Sequence, residues 1–122
     1  MRDVDRKDIV ELSVEVKQLT EKAREGKLQI DDMRGGNFSI TNAGALGGDL
    51  FIPLVNWPEV AILGVARTRP EAVVEEGVTR QLPMLPLALA YDHRLIDGAA
   101  AVRFMTWLVE ALENPVKLAW GV

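Results

Sequence analysis

The chain has 122 residues, of which 48% are hydrophobic and 26% charged, and its formal net charge is −4. This length and composition predict one soluble globular domain, and the absence of a basic stripe argues against a nucleic-acid partner. Cysteine is absent and His93 is the single histidine, which excludes disulfides, thiolate metal sites and a multi-histidine zinc site.

The apolar segments favour a soluble protein over one in a membrane. The longest apolar run, residues 82–90, contains two prolines and is less than half of the roughly 20 residues that a membrane span needs. The first seven residues have neither the apolar centre of a signal peptide nor the acid-poor composition of a transit peptide. We therefore expect no membrane partner and a cytoplasmic location, or an equivalent reducing compartment.

The first third of the chain predicts one helix and one strand. Residues 6–25 form an amphipathic helix whose apolar positions recur at spacings of three and four: Ile9, Leu12, Val16, Leu19 and Ala23. Gly26 is a typical stop after such a helix, and a turn follows near Asp31 and Asp32. Residues 37–41 have the β-branched and aromatic content of a strand.

The middle of the chain predicts several strands. Residues 50–55 are extended, but Pro53 cannot donate a ladder hydrogen bond, so a strand there lies at an edge or is bulged. Residues 60–66 are apolar without alternation, which is typical of a strand covered on both faces. A tight turn near Glu76 and Gly77 leads into a long extended run over residues 78–91.

A second helix begins after Asp97 and Gly98 and ends at Asn114, because proline at 115 disfavours helical geometry in the residue before it. Its apolar stripe is Ala101, Phe104, Met105, Leu108, Val109 and Leu112. The order of helix, strands and helix predicts an α/β fold with two helices packed against a sheet.

His93 lies where the last strand gives way to this helix, a position at which sheet proteins often place reacting groups. A lone histidine is also commonly structural. Asp97 is a natural N-cap for the helix and, once fixed there, a rigid charged partner for the imidazole or for an arginine. Arg94 fits either a solvent-facing charge or an ion pair with a carboxylate.

Residues 91–98, YDHRLIDG, resemble the active-site signature of the dihydrolipoamide acyltransferases, the core components of 2-oxoacid dehydrogenase complexes. Three further segments resemble the same family in the same order: residues 34–42 (RGGNFSITN), 56–64 (NWPEVAILG) and 82–90 (LPMLPLALA). The resemblance covers essentially residues 1–122. It implies half of a chloramphenicol-acetyltransferase-like domain, with a mixed sheet and two helices packed on it.

The resemblance also implies roles for three residues. His93 is the general base, Asp97 is its companion in the signature, and Thr41 matches the hydroxyl residue that hydrogen-bonds the tetrahedral intermediate. From its strand alone, Thr41 equally fits an ordinary structural threonine. The implied reaction moves an acyl group between dihydrolipoamide and coenzyme A, and we expect the acyl group to be acetyl. Coenzyme A is a substrate of this reaction. Neither a metal nor a covalent acyl-enzyme is implied.

The family further implies a trimer whose active sites lie between subunits, with the hydroxyl and the histidine supplied by different chains. It also implies the decarboxylase and dihydrolipoamide dehydrogenase components as partners. Lipoyl and subunit-binding domains of the family have no counterpart in residues 1–122, so we expect the lipoyl group on a domain that this chain does not contain. In the family, a segment like residues 2–7 follows a first half of the catalytic domain, so we also expect residues 1–122 to be the C-terminal portion of that domain. Two other functions fit the same residues: an inactive, oligomer-forming core fragment, and an O-acetyltransferase of the chloramphenicol acetyltransferase type.

Overall fold

The computed structural model describes residues 1–116 and separates into two units, Met1–Asn37 and Phe38–Val122. The first unit holds helix α1 (Ile9–Arg24), with single 3-10 turns at Val4–Arg6 and Ile30–Met33. The second unit holds, in chain order, β1 (Ser39–Asn42), a 3-10 turn (Gly44–Leu46), β2 (Ala61–Val65), β3 (Arg69–Glu75), β4 (Val78–Met84), β5 (Leu87–Tyr91) and α2 (Gly98–Glu113). Among the described helices, none is long and apolar enough to cross a bilayer.

The helix predicted over residues 6–25 is confirmed as α1, which ends near Gly26 as predicted but begins at Ile9 because Asp8 caps it. The Asp8 carboxylate accepts hydrogen bonds from the backbone N–H groups of Val10 and Glu11, both at 2.8 Å, while the Glu11 carboxylate accepts one from Asp8 N–H at 3.0 Å. This capping box satisfies backbone donors that the helix itself leaves free. At the other end Gly26 takes a φ of +67°, a left-handed conformation that glycine adopts without a steric penalty.

A three-stranded mixed sheet forms the centre of the second unit, in the order β1-β2-β5. Strand β1 is parallel to β2, and β5 is antiparallel to it. The middle strand is buried over Ala61, Ile62, Leu63 and Gly64, which confirms the strand predicted to be covered on both faces. None of these residues has a polar side chain. Their backbone N–H and C=O groups are hydrogen-bonded to the two flanking strands, so the strand can be buried without unpaired polar groups.

The two faces of this sheet are packed against different segments. Paired residues point to the same face, so Thr41 shares a face with Gly64 and Ala88. On that face a Cβ added to Gly64 would lie 3.2 Å from the Phe51 ring and from Pro53 Cδ. Residues 50–55 therefore cross over the sheet instead of joining it, and the edge strand considered there does not form.

The opposite face carries Leu89 and Tyr91 and lies toward α2. A Cβ added to Gly98, at the start of α2, would lie 4.0 Å from the Tyr91 hydroxyl. Farther along, the rings of Phe38 and Phe104 are tilted against each other with centroids 5.9 Å apart. Ala101 is buried at 7% exposure, so the N-terminal half of α2 supplies part of the core.

Strands β3 and β4 form a separate two-stranded hairpin with Glu75 paired to Val78. The turn residues Glu76 and Gly77 both have positive φ, 51° and 79°, as a two-residue hairpin turn of the primed type requires. This confirms the turn predicted there. The extended run over residues 78–91 is not continuous, because it divides into β4 and β5 at Leu85 and Pro86 and the two strands belong to different sheets.

The α/β class with a mixed sheet and two helices is thus confirmed.

Candidate active site

The segment that carries His93 is a tight turn built on Asp92. Its backbone N–H donates to the Val60 carbonyl at 2.9 Å, which extends the β2-β5 ladder by one step. Its carbonyl then accepts from the N–H groups of Leu95 and Ile96, both at 3.0 Å. Asp92 is therefore the last residue held by the sheet and the first residue of the turn, and His93 follows directly at the tip.

The Asp92 side chain closes the same turn through Arg94. Its carboxylate accepts the Arg94 backbone N–H at 3.0 Å, the guanidinium Nε at 2.9 Å and Nη2 at 2.6 Å. The hydrogen bonds from the Arg94 side chain, and next from its backbone, lower the pKa of Asp92 from 3.8 to about 2, and the same pair raises the pKa of Arg94. Arg94 is thus in an ion pair, and its partner is Asp92.

His93 stands between these two paired residues with its own side chain exposed. Its ring lies 5.5 Å from the ring of Tyr91, at an interplanar angle of 38°. No hydrogen bond joins the imidazole to any residue within 1–116. Both ring nitrogens are therefore open to a hydrogen bond with a bound molecule, while the backbone beside the ring is held at several points.

Asp97 caps α2, as predicted from its position. One of its carboxylate oxygens accepts the Ala100 backbone N–H at 2.7 Å, and its backbone is extended, with φ −81° and ψ 162°. In the described part of the chain this carboxylate contacts neither the imidazole nor Arg94 by a hydrogen bond. Its place is at the start of the helix that follows the histidine, four residues along the chain.

Thr41 lies on β1, at the outer edge of the sheet, opposite Gly64. It is half-buried, and its hydroxyl makes no hydrogen bond to another described residue. An unused hydroxyl on a half-buried strand is able to donate to a ligand, because its proton is not already committed.

The structure does not bring Thr41 and His93 together within one chain. Thr41 is paired with Gly64, whereas Asp92 N–H bonds the carbonyl of Val60, four residues before Gly64 and just ahead of β2. At the usual rise and spacing of strands, that offset is about 13 Å along the sheet and about 10 Å across it, or roughly 16 Å in all. His93 follows Asp92 in the turn beyond the sheet, and its ring lies beside Tyr91, whose side chain is on the face opposite to that of Thr41.

Two features of this region were not predicted from the sequence. The Asp92 turn has a recognisable signal, because an aspartate whose carboxylate accepts the N–H two residues on is a common turn former. The second is a hydrogen bond of 2.6 Å from the Ser39 hydroxyl to the Glu59 carboxylate, on the same face as Thr41. This contact spans 20 residues of chain, and nothing local in the sequence indicates it.

A groove of about 610 Å³ in the first unit contains none of the predicted site residues. It runs along α1 and is lined by Val10, Glu11, Val14, Glu15, Gln18, Leu19, Lys22 and Asp32. The chemistry that the sequence predicts belongs instead to the strand ends of the second unit.

Among proteins of known function, the chain is 42% identical over all of its 122 residues to the dihydrolipoyllysine-residue succinyltransferase component of the 2-oxoglutarate dehydrogenase complex of Escherichia coli K12. It is 44% identical over 115 residues, 94% of its length, to the dihydrolipoyllysine-residue acetyltransferase component of the pyruvate dehydrogenase complex of Bacillus subtilis. The chain spans 30% and 26% of the lengths of these two relatives.

The fold is similar to that of the Azotobacter vinelandii dihydrolipoamide acetyltransferase, with a TM-score of 0.90 and 45% identity. The match covers 97% of this chain and 48% of that one, and the crystallographic and enzymatic study of that enzyme concerned the roles of a serine, a histidine and an asparagine in its mechanism. Residues 1–120 match the family model for the catalytic domain of the 2-oxoacid dehydrogenases acyltransferases. The resemblance predicted from the sequence is confirmed, and the chain belongs to this acyltransferase family.

Proposed function

We propose that this chain takes part in acyl transfer between dihydrolipoamide and coenzyme A, with His93 as the general base. One observation carries the proposal. In the Azotobacter vinelandii enzyme the serine lies 52 residues before the histidine and the asparagine lies four residues after it. Thr41, His93 and Asp97 have the same two spacings here. The structure supports the match because it leaves both the imidazole and the threonine hydroxyl free to act on a ligand.

His93 takes the proton from the thiol of coenzyme A as the sulfur attacks the thioester carbon of acyl-dihydrolipoamide. With ordinary pKa values near 6.5 for imidazole and 8.5 for a thiol, full proton transfer is uphill by about 2.7 kcal/mol. A positioned base tolerates that cost and typically contributes a factor of about 10² to 10⁴ in rate. When the intermediate collapses, the imidazolium returns the proton to the departing sulfur of dihydrolipoamide, and His93 is neutral again.

Thr41 donates a hydrogen bond to the oxyanion that forms on the former carbonyl oxygen. One such donor is worth about 3 kcal/mol when it is already in place before the reaction. Because Thr41 lies roughly 16 Å from Asp92, the residue before His93, one copy cannot supply both groups to the same substrate. The reaction therefore needs at least two copies of the chain, in keeping with the trimer that the family resemblance implies.

We propose acetyl as the acyl group. Support comes from residues 82–91 and from the run Gly98-Ala99-Ala100-Ala101, which resemble members of the pyruvate complexes more than those of the branched-chain complexes. The relatives include both an acetyltransferase and a succinyltransferase at similar identity, so the two acyl groups must be compared directly. The other components of a 2-oxoacid dehydrogenase complex are the partners that this reaction implies.

The test is an acyl-transfer assay on the purified protein, with free dihydrolipoamide and either acetyl- or succinyl-coenzyme A. We expect transfer with the acetyl donor preferred, and a loss of at least a hundredfold in kcat for His93→Ala, with the assembly size unchanged. Gln81→Ala, an exposed position on β4, is the control and should behave as wild type. Full activity of His93→Ala would remove the base, and an assembled but inactive wild-type protein would favour a structural core fragment.

A further inference from the structure

Glu59 places a carboxylate on the face of the central sheet that carries Thr41. Its Oε2 accepts a hydrogen bond of 2.6 Å from the hydroxyl of Ser39, which precedes Thr41 by two residues on β1 and points to the same face. At the usual rise of a strand, Ser39 and Thr41 are about 7 Å apart along β1. The anchored carboxylate therefore lies within about 10 Å of the threonine hydroxyl.

The charge of Glu59 is not balanced by a neighbouring cation. None of the ion pairs within residues 1–116 includes Glu59. The Ser39 hydroxyl is neutral, so it orients the carboxylate without cancelling its charge. Glu59 is also half-buried, and water and salt screen such a charge less than one on an open surface. A ligand on this face therefore meets an uncompensated negative charge.

The space beside Thr41 is closed in the direction that leads across the sheet. Gly64 is the strand partner of Thr41 on β2. The Phe51 ring and Pro53 Cδ lie 3.2 Å from the position that a Cβ of Gly64 would occupy. A group bound at the threonine hydroxyl therefore cannot extend over β2.

The space past the end of β1 is also occupied, because the chain turns back there. The Ala43 carbonyl accepts a hydrogen bond of 3.1 Å from the N–H of Gly48, and a Cβ added to Gly48 would lie 3.1 Å from Ala43 Cβ. Of the two directions along β1, the one that remains open leads from Thr41 toward Ser39 and its partner Glu59.

Acyl groups differ in the charge that they carry into this direction. If Thr41 donates to the oxyanion, the acyl carbonyl carbon lies next to its hydroxyl and the rest of the acyl group extends from there. An acetyl group ends at a methyl. A succinyl group continues through two methylene groups to a carboxylate, which approaches Glu59 along β1, and like charges repel each other.

We propose that Glu59, held in place by Ser39, determines the acyl preference of the site by disfavouring acyl groups that end in a carboxylate. The inference rests on the proposed function, which places the acyl carbonyl at Thr41. At about 8 Å and an effective dielectric constant of about 20, two like unit charges lower an affinity about thirtyfold. Partial exposure and salt weaken this repulsion, so we expect an effect of about tenfold.

The test is Glu59→Gln, which removes the charge and keeps an oxygen that accepts the Ser39 hydrogen bond. The ratio of kcat/KM for succinyl-coenzyme A to that for acetyl-coenzyme A should rise about tenfold at low ionic strength, through a lower KM for the succinyl substrate. Butyryl-coenzyme A matches the succinyl group in carbon number without its carboxylate, so the butyryl-to-acetyl ratio should not change. Glu75→Gln removes an equal charge from an exposed position on β3 and should move neither ratio.

Salt separates a charge effect from a structural one. Raising the ionic strength from about 0.01 M to about 0.5 M shortens the screening length from about 30 Å to about 4 Å. The succinyl-to-acetyl ratio of the wild type should then rise toward that of Glu59→Gln, whose own ratio should hardly move. An unchanged ratio in Glu59→Gln overturns the proposal. So does an equal loss of transfer for all three acyl groups, because Glu59 then only supports β1 through Ser39.

Failure of this proposal is separable from failure of the proposed function. Calorimetric titration of wild type and Glu59→Gln with acetyl- and succinyl-coenzyme A gives the same comparison from dissociation constants, without turnover. If His93→Ala retains full transfer while Glu59→Gln shifts the ratio, the base is wrong and the charge effect stands. If His93→Ala abolishes transfer and Glu59→Gln shifts no ratio, only the role of Glu59 is wrong. A protein that binds neither acyl-coenzyme A overturns both.

Discussion

The surroundings of His93 and of Thr41 are built in opposite ways. Apart from the hydrogen bond from Asp92 N–H to Val60, the turn around His93 is fixed by neighbours in the chain. The Asp92 carboxylate accepts from Arg94, the Asp92 carbonyl accepts from Leu95 and Ile96, and Asp97 caps the helix that follows. Thr41 is fixed by pairing with Gly64, which comes from a distant part of the sequence. The shape of the turn therefore depends mainly on its own sequence, whereas the position of Thr41 depends on the pairing of the sheet.

The largest effect that probes this contrast is expected from Thr41→Ala, which removes the hydroxyl and leaves the strand. Loss of one donor to the oxyanion costs about 3 kcal/mol of transition-state stabilisation, so kcat should fall about a hundredfold. KM for both substrates should stay near wild type, because the hydroxyl acts on a charge that exists only in the transition state. Steady-state kinetics of acyl transfer measure both quantities.

Two controls show whether the hydroxyl itself is responsible. Thr41→Ser keeps the donor and should retain most of the activity. Thr79→Ala makes the same substitution at an exposed strand position on β4 and should change neither kcat nor KM. An equal loss for the serine and alanine variants would show that Thr41 matters for packing in β1, and it would leave the intermediate without its donor.

Gly64→Val tests the distant contacts that support Thr41. Even the first carbon of the new side chain would lie 3.2 Å from Phe51 and Pro53, so the covering segment must move outward. Overpacking of this kind typically costs about 1–3 kcal/mol of the free energy of unfolding. Urea denaturation should show that loss, and Ala72→Val, at an exposed position on β3, should show none. An unchanged stability would mean that residues 50–55 do not rest on β2.

The same contrast explains how far the sequence could predict the structure. Helices α1 and α2, the buried strand β2 and the hairpin turn at Glu76 and Gly77 all follow from short-range patterns, and the structure confirms them. Residues 50–55 have the composition of a strand but lie across the sheet. Gly64 has no side chain, which leaves room for Phe51 and Pro53 to pack against the strand there. Gly64 is 11 residues after Pro53 and 13 after Phe51, so no short-range pattern indicates that contact.

Some features of the candidate site could likewise be predicted from the sequence, and others could not. The helix-capping role of Asp97 follows from its place before α2, and the structure confirms it. From the sequence Arg94 fits either a solvent-facing charge or an ion pair with a carboxylate, and the structure pairs it with Asp92, two residues away. The distance between Thr41 and His93 could not be read from the sequence, since it depends on which strands pair and in which direction. The catalytic roles of Thr41, His93 and Asp97 remain predictions.

Asp97→Ala should lower the free energy of unfolding by less than Gly64→Val does. It removes the acceptor for the Ala100 N–H, and loss of an N-cap of this type costs about 1 kcal/mol. Asp97→Asn keeps an oxygen acceptor, so its stability should be near wild type. The Azotobacter vinelandii enzyme has an asparagine at the corresponding spacing, so the Asn variant should also retain transfer. A large loss of activity in the Asn variant, at unchanged stability, would show that the charge of Asp97 is needed.

The smallest effect on stability is expected from Arg94→Met, which removes the guanidinium and keeps an unbranched apolar stem. With Arg94 in place the pKa of Asp92 is about 2, below its ordinary 3.8, so the carboxylate stabilises the turn above the ordinary value, and that stabilisation is lost as the pH falls through the folded value. In the variant the Asp92 titration midpoint, followed by NMR of the carboxyl carbon, should rise toward 3.8. Near neutral pH the stability should hardly change, because an ion pair with so exposed an arginine contributes little. Arg80→Met, in the other sheet, should leave the midpoint where it is. A midpoint that does not move would show that Asp92 is held by the backbone alone, and the turn at His93 would then owe even more to its nearest neighbours in the chain.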